Sequence, residues 1–190
     1  MECTNRISSR PEGDHRQRAD KISVAALSES RMSGSERVTI EVPDSDQTMT
    51  LYYSGGDEHR EGVGFMLSNR IVATVVAFQP AEFQCSLLAE LSQHIFCVYT
   101  PETSSDSVKD EFFGQLQNMV DAIPQSELIV IAGDSNAHVG ANRQGWERKL
   151  SRFRVGEVND NGLRLLSFAT TDKLVIRNNY FLHPTQSKHF

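Results

Sequence analysis

The stretch Leu128-Ile129-Val130-Ile131-Ala132-Gly133-Asp134-Ser135-Asn136-Ala137-His138 decides the fold class. Its first five residues are an uninterrupted apolar run of strand length, which predicts a central strand covered on both faces. The run stops at Gly133 and then presents a carboxylate and a carboxamide two residues apart. In an extended chain, residues i and i+2 point the same way, so Asp134 and Asn136 are expected to converge at the C-terminal end of the strand. A carboxylate there can orient and deprotonate an attacking water. An amide N–H can bond a non-bridging oxygen as charge develops on it. The pair suits phosphoryl transfer to water. It equally suits a strand-end turn in which Asp and Asn cap backbone groups, and the motif alone leaves both readings open.

Working upstream, Phe112, Phe113, Leu116, Met119, Val120 and Ile123 lie on one face at helical spacing. Ser104 or Ser105 can cap that helix, Asp106 suits its first turn, and Pro124 ends it. Before it come short apolar runs of strand length: Ile22 to Leu27, Val38 to Val42, Met49 to Tyr53, Val63 to Leu67, Val72 to Phe78, Cys85 to Leu91 and His94 to Tyr99. Downstream, a long polar loop reaches about Asn159. Asp160-Asn161-Gly162 then opens a second helix with Leu165, Leu166 and Ala169 on one side, and Leu174 to Ile176 reads as a returning strand. Many strands with helices inserted late in the chain predict a layered α/β sandwich rather than an alternating doubly wound sheet. Residues 1–20 are polar and Arg-rich and read as a loose N-terminal segment; residues 21–190 read as one domain.

Of the 190 residues, 38% are apolar and 23% charged, a soluble balance. No run approaches the ~18 apolar residues of a membrane span, and residues 1–20 show no apolar signal region. An intracellular protein without a membrane partner is the expectation. Cys3, Cys85 and Cys97 are an odd count in no zinc spacing, and Cys85 and Cys97 read as buried packing thiols. Net charge is −6, which argues against tight nucleic-acid binding by the whole surface. The charge is uneven, though. Residues 101–134 carry seven acids and one base. Residues 141–173 carry seven bases (Arg143, Arg148, Lys149, Arg152, Arg154, Arg164, Lys173) against four acids. Such a stretch can hold a phosphate backbone; a solvated loop of mixed charge explains it as well.

Two more strand ends carry polar groups. Val24-Ala25-Ala26-Leu27-Ser28-Glu29 ends in an acid that suits a Mg²⁺ ligand, since Mg²⁺ takes one or two carboxylates and keeps several waters. Phe96-Cys97-Val98-Tyr99-Thr100-Pro101 ends in a hydroxyl that could reach a phosphate. Singly, each is also an ordinary solvated or rim residue. In this order the three strand ends resemble the endonuclease/exonuclease/phosphatase superfamily. The stretches 26–31, 52–70, 98–102, 133–140 and 159–169 are similar to the endonuclease domain of non-LTR retrotransposons and the related craniofacial development protein group. The resemblance covers about residues 22–190.

That resemblance implies a four-layer sandwich of two packed β-sheets flanked by helices, and Mg²⁺- or Mn²⁺-dependent hydrolysis of a DNA phosphodiester. Glu29 would hold the metal, Asp134 would orient the water, and Asn136 and Tyr99 would contact the phosphate. The basic loop of residues 141–173 would lie near the substrate backbone, and a nuclear location would fit. His138 matches no catalytic histidine of the family and reads as a loop residue. The family's first strand, with its Asn, has no counterpart in residues 1–20. The helix before Glu29 is shortened at Gly13 to Lys21. The terminal strands, with a further Asp and an Asp-His pair, are not reached by Lys188-His189-Phe190. Position 135, commonly aromatic, is Ser. The fold is therefore expected to be incomplete, with first and last strands missing and hydrolysis impaired. The alternative is an inactive relic or interaction protein that keeps part of the nuclease fold. A lipid or nucleotide phosphatase is a third reading.

Overall fold

The computed structural model describes residues 23–43, 46–56, 62–80, 84–89 (backbone alone), 92–100, 105–141, 144–146 and 156–177. Four strands, β1 (Val24–Ser28), β2 (Gly34–Glu41), β3 (Thr48–Gly55) and β4 (Val63–Ser68), form one antiparallel sheet in the order β1-β4-β3-β2. A single helical turn, α1 (Asn69–Val72), leads to the second sheet. That sheet holds β5 (Val75–Pro80), β6 (Gln84–Ala89), β7 (Gln93–Tyr99) and β8 (Leu128–Asp134) in the order β5-β6-β7-β8. Its first three strands run antiparallel, whereas β7 and β8 are parallel. Parallel neighbours cannot be joined by a hairpin, and the crossover is α2 (Asp106–Asp121). The last described helix is α3 (Asp160–Thr171).

Strand alternation divides the core in two. Val63, Phe65 and Leu67 of β4, all fully buried, meet Cys97 of β7 between the sheets, with Tyr52, Ile95 and Phe78 around them. The neighbouring β7 residues Phe96 and Val98 point the other way, onto Phe112, Leu116 and Val120 of α2 and Phe168 of α3. Burying one such large side chain stabilises the fold by about 1.5–3 kcal/mol. Every residue expected on the apolar face of α2 packs in this second cluster. The architecture is an α/β sandwich: two packed sheets with helices on the outer face of the second. The helix expected at Gly13 to Lys21 and the chain ends lie outside the described residues.

Three expectations are corrected. Among the described residues β8 is an edge strand, not a central one, with Leu128 57% and Val130 44% exposed. The strand covered on both faces is β7. An apolar run reports hydrophobicity, not how many neighbours a strand acquires. Second, Val72 belongs to α1, and β5 starts at Val75. The turn is closed by Thr74, whose N–H and hydroxyl both donate to the Ile71 carbonyl, while Ile71 and Val72 pack between the sheets. Third, residues 174–177 pair with no strand. Leu174 packs under the helices instead, because short apolar alternation supplies no ladder partner by itself. The Cys97 side chain is buried, as expected. Cys3 and the side chain of Cys85 lie outside the described residues.

Candidate functional site

The C-terminal ends of β7 and β8 lie side by side, with Tyr99 in register with Asp134. Gly133 lets them approach closely. Its φ is +118°, and a Cβ there would sit 2.1 Å from the Val98 carbonyl oxygen, so the backbone turn just before Asp134 needs glycine. Thr100 then donates its N–H to the Asp134 carbonyl (3.0 Å).

Asp134 is exposed, and its Oδ1 accepts the backbone N–H of Asn136 at 2.8 Å. Asn136 adopts φ +46° and donates from Nδ2 to the Thr100 carbonyl at 2.8 Å. Asp134 and Asn136 do meet, but as carboxylate and backbone N–H, and the Asn136 carboxamide turns to Thr100 instead of converging with the carboxylate as i and i+2 of an extended strand would. The chain turns left-handed at Asn136, a conformation that Asn tolerates, and the carboxylate closes the turn. The strand-end turn is thus real and occupies part of each group. Oδ2 of Asp134 and the second Nδ2 hydrogen of Asn136 have no partner among the described residues. Tyr99 is half-buried, and its ring joins the core between the sheets.

Glu29 follows β1 directly, with φ +53° and its side chain 47% exposed. The Cys97 thiol donates to the Leu27 carbonyl (3.2 Å) and ties β1 to β7. Glu29 and Tyr99 each lie two residues beyond that contact along the chain. The Glu29 carboxylate meets the Arg31 guanidinium at 3.5 Å. Among the described residues no three His, Cys, Asp or Glu side chains gather as a metal cluster. Glu29 fits a hard cation as a single ligand. It is an accessible oxygen donor, and its exposed ion pair is weak enough to be displaced.

Sequence reasoning passed over the other wall of the site, the head of α3. Asn159 caps that helix, its Oδ1 accepting the Gly162 N–H at 2.8 Å. The same oxygen accepts the His138 N–H (2.9 Å), and Nδ2 donates to the Asn136 carbonyl (2.9 Å). Asn161, buried, donates to the Ser135 carbonyl at 3.3 Å. One signal was visible in the sequence. A glycine in the first helical turn is unfavourable unless something must come close, and Gly162 backs directly onto the His138 carbonyl. His138 is a loop residue, as expected.

Of the basic stretch, Arg143, Arg148, Lys149, Arg152 and Arg154 lie outside the described residues. Arg164 is engaged elsewhere. Its guanidinium meets Asp160 (3.0 Å), Asp106 (3.5 Å) and Asp110, so it belongs to an ion network between α2 and α3. Among the described residues no helix is long and apolar enough to cross a membrane.

No family model matches the chain. Two curated proteins are similar to it, both called craniofacial development protein 2. The protein from Tragulus javanicus is 26% identical over 149 residues, 72% of this chain and 24% of that protein. The protein from Bos taurus is 26% identical over 150 residues, with the same coverage. The chain spans about a quarter of the length of the curated relatives it matches.

Proposed function

We propose that this chain carries the hydrolytic centre of a divalent-metal-dependent phosphodiesterase acting on DNA, of retroelement endonuclease origin, and that it works slowly. The observation that carries the reading is the contact of Asp134 with Asn136 at the end of β8, each with one polar group that no described residue meets, the exposed Asp134 lying in register with Tyr99 and Asn136 half-buried. The remaining Asp134 oxygen would orient and deprotonate the attacking water. The remaining Asn136 N–H would bond a non-bridging phosphate oxygen as its charge grows. Glu29 would hold Mg²⁺ or Mn²⁺, which supplies Lewis-acid polarisation of the phosphate when bound. The basic residues between 141 and 156 would meet the DNA backbone, and the nucleus is the matching compartment.

A second reading, a non-catalytic relic or interaction protein, is favoured by a different observation: Asp134 and Asn136 both help to build the turn, and Glu29 is paired with Arg31. Nicking of supercoiled plasmid in Mg²⁺ or Mn²⁺ separates the two. Hydrolysis predicts slow nicking that Asp134→Ala lowers at least ~10²-fold, the scale of losing a general base. Nicking that persists undiminished in Asp134→Ala removes the assignment. No nicking in either metal favours the second reading.

A further inference from the structure

The Asp134–His138 loop is held from two sides. The sheet holds it through Thr100 and the close approach of Gly133 to Val98. The head of α3 holds it through Asn159 and Asn161, and that second hold has no counterpart in the helix's own needs. An N-cap requires one side-chain oxygen on one helical N–H. Asn159 meets that need with Oδ1 on Gly162, and then uses the same oxygen and one amide hydrogen on the loop. Its backbone N–H also donates to the His138 carbonyl at 3.0 Å. Ser, Thr or Asp would cap the helix as well; a carboxamide at this position supplies acceptor and donor together. Asn161 is 2% exposed and turned to the Ser135 carbonyl rather than to solvent.

The head of α3 is itself anchored. Asp160, between the two asparagines, pairs with Lys109 of α2 at 3.1 Å and with Arg164 at 3.0 Å, and Lys109 is 9% exposed. Buried and networked charges of this kind hold their geometry better than isolated surface pairs. The anchoring therefore runs from α2, through the head of α3, to the loop that carries Asp134 and Asn136.

We infer that Asn159 and Asn161 are positioning residues of the loop: they fix the carbonyls of Ser135 and Asn136 and the N–H of His138, so that the Asp134 carboxylate and the Asn136 amide keep one relative geometry. The catalytic consequence rests on the hydrolysis proposed above; the control of loop geometry does not. Asn159→Asp separates capping from positioning. It keeps the oxygen that caps α3 but sets a second oxygen against the Asn136 carbonyl. Asn161→Ala removes the Ser135 contact alone.

The test is site-resolved amide hydrogen exchange on the full chain, paired with kcat and KM for plasmid nicking in Mn²⁺. In both variants exchange across Ser135–His138 should rise by about tenfold, the scale of one lost hydrogen bond, while Leu166–Ala169 in α3 keep their protection. Nicking kcat should fall by a similar factor with KM within about twofold, since positioning acts on the reacting geometry rather than on uniform binding. Unchanged loop exchange in both variants overturns the inference. Loss of protection through α3 in parallel with the loop also overturns it, because Asn159 would then be a cap and nothing more. So does a loosened loop with unaltered kcat. If the unmodified chain nicks nothing while the loop responds as expected, the hydrolytic reading fails and the positioning role stands.

Discussion

The His138 carbonyl oxygen occupies the place where a side chain on Gly162 would begin: a Cβ there would lie 2.0 Å from the oxygen and 2.7 Å from its carbon. Both obstacles are backbone atoms, so neither can swing aside. Gly162→Ala should therefore destabilise the fold by about 1–3 kcal/mol, as overpacking does, although alanine is the better helix former. Gly114, in the middle of α2, meets nothing within 4 Å, and Gly114→Ala should stabilise by up to ~1 kcal/mol. Urea unfolding of both variants checks the pair. Equal signs would contradict the close approach at Gly162.

Divalent metal should bind weakly and through Glu29. Glu29 offers one exposed carboxylate beside a guanidinium at 3.5 Å, and no three ligand side chains gather among the described residues. Isothermal calorimetry with Mg²⁺ should show weak uptake that Glu29→Ala removes. Arg31→Ala should tighten it by no more than about fivefold, since an exposed ion pair is worth at most ~1 kcal/mol. Tight, stoichiometric binding that survives Glu29→Ala would falsify the assignment.

Among the described residues, two of the edge strands, β2 and β8, differ in chemistry. β2 carries Glu36, Arg37 and Glu41, charges that discourage edge-to-edge pairing, whereas β8 has no charge from Leu128 to Gly133 and exposes Leu128 and Val130. Val130→Lys should shift the concentrated protein toward monomer in sedimentation equilibrium while leaving its unfolding midpoint within a few degrees. An unchanged mass distribution would show that β8 is not the edge through which copies meet.

Stability at high pH should depend on Tyr53. Burial, then the nearby Glu36 carboxylate and the hydrogen bond to it (3.4 Å), raise the phenol above its ordinary value of 10.0. A raised folded value means that the unfolded chain releases this proton first. The contribution is complete below pH ~10 and is lost as pH rises from there through the folded value. Tyr53→Phe should flatten the alkaline limb of the stability curve measured by urea unfolding between pH ~9 and ~11. An unaltered limb would assign that dependence to other groups.

Much of the architecture was legible locally. The apolar face of α2 from Phe112 to Ile123 and the strands that became β3, β4 and β7 follow from periodicities of 3.6 and 2, which report which faces of an element avoid water. A closeness of Asp134 and Asn136 was expected too, but from side chains i and i+2 of an extended strand. A left-handed turn closed by the carboxylate joins them, and no extended strand does.

What the sequence determined by itself was most of the strands, the two long helices, the buried face of α2, and the presence of an acid and an amide just past one strand. What only the tertiary structure decided was which partners those elements found. Among the described residues β7 became the strand covered twice and β8 an edge, because neighbour number depends on how sheets assemble and not on how apolar a run is. Asn159 reaches Asn136 across 23 residues and Asn136 reaches Thr100 across 36. Hydrogen bonds between such distant groups leave no periodic trace in the chain; they exist only once α3, β7 and β8 have packed and brought the three loops within about 3 Å of one another.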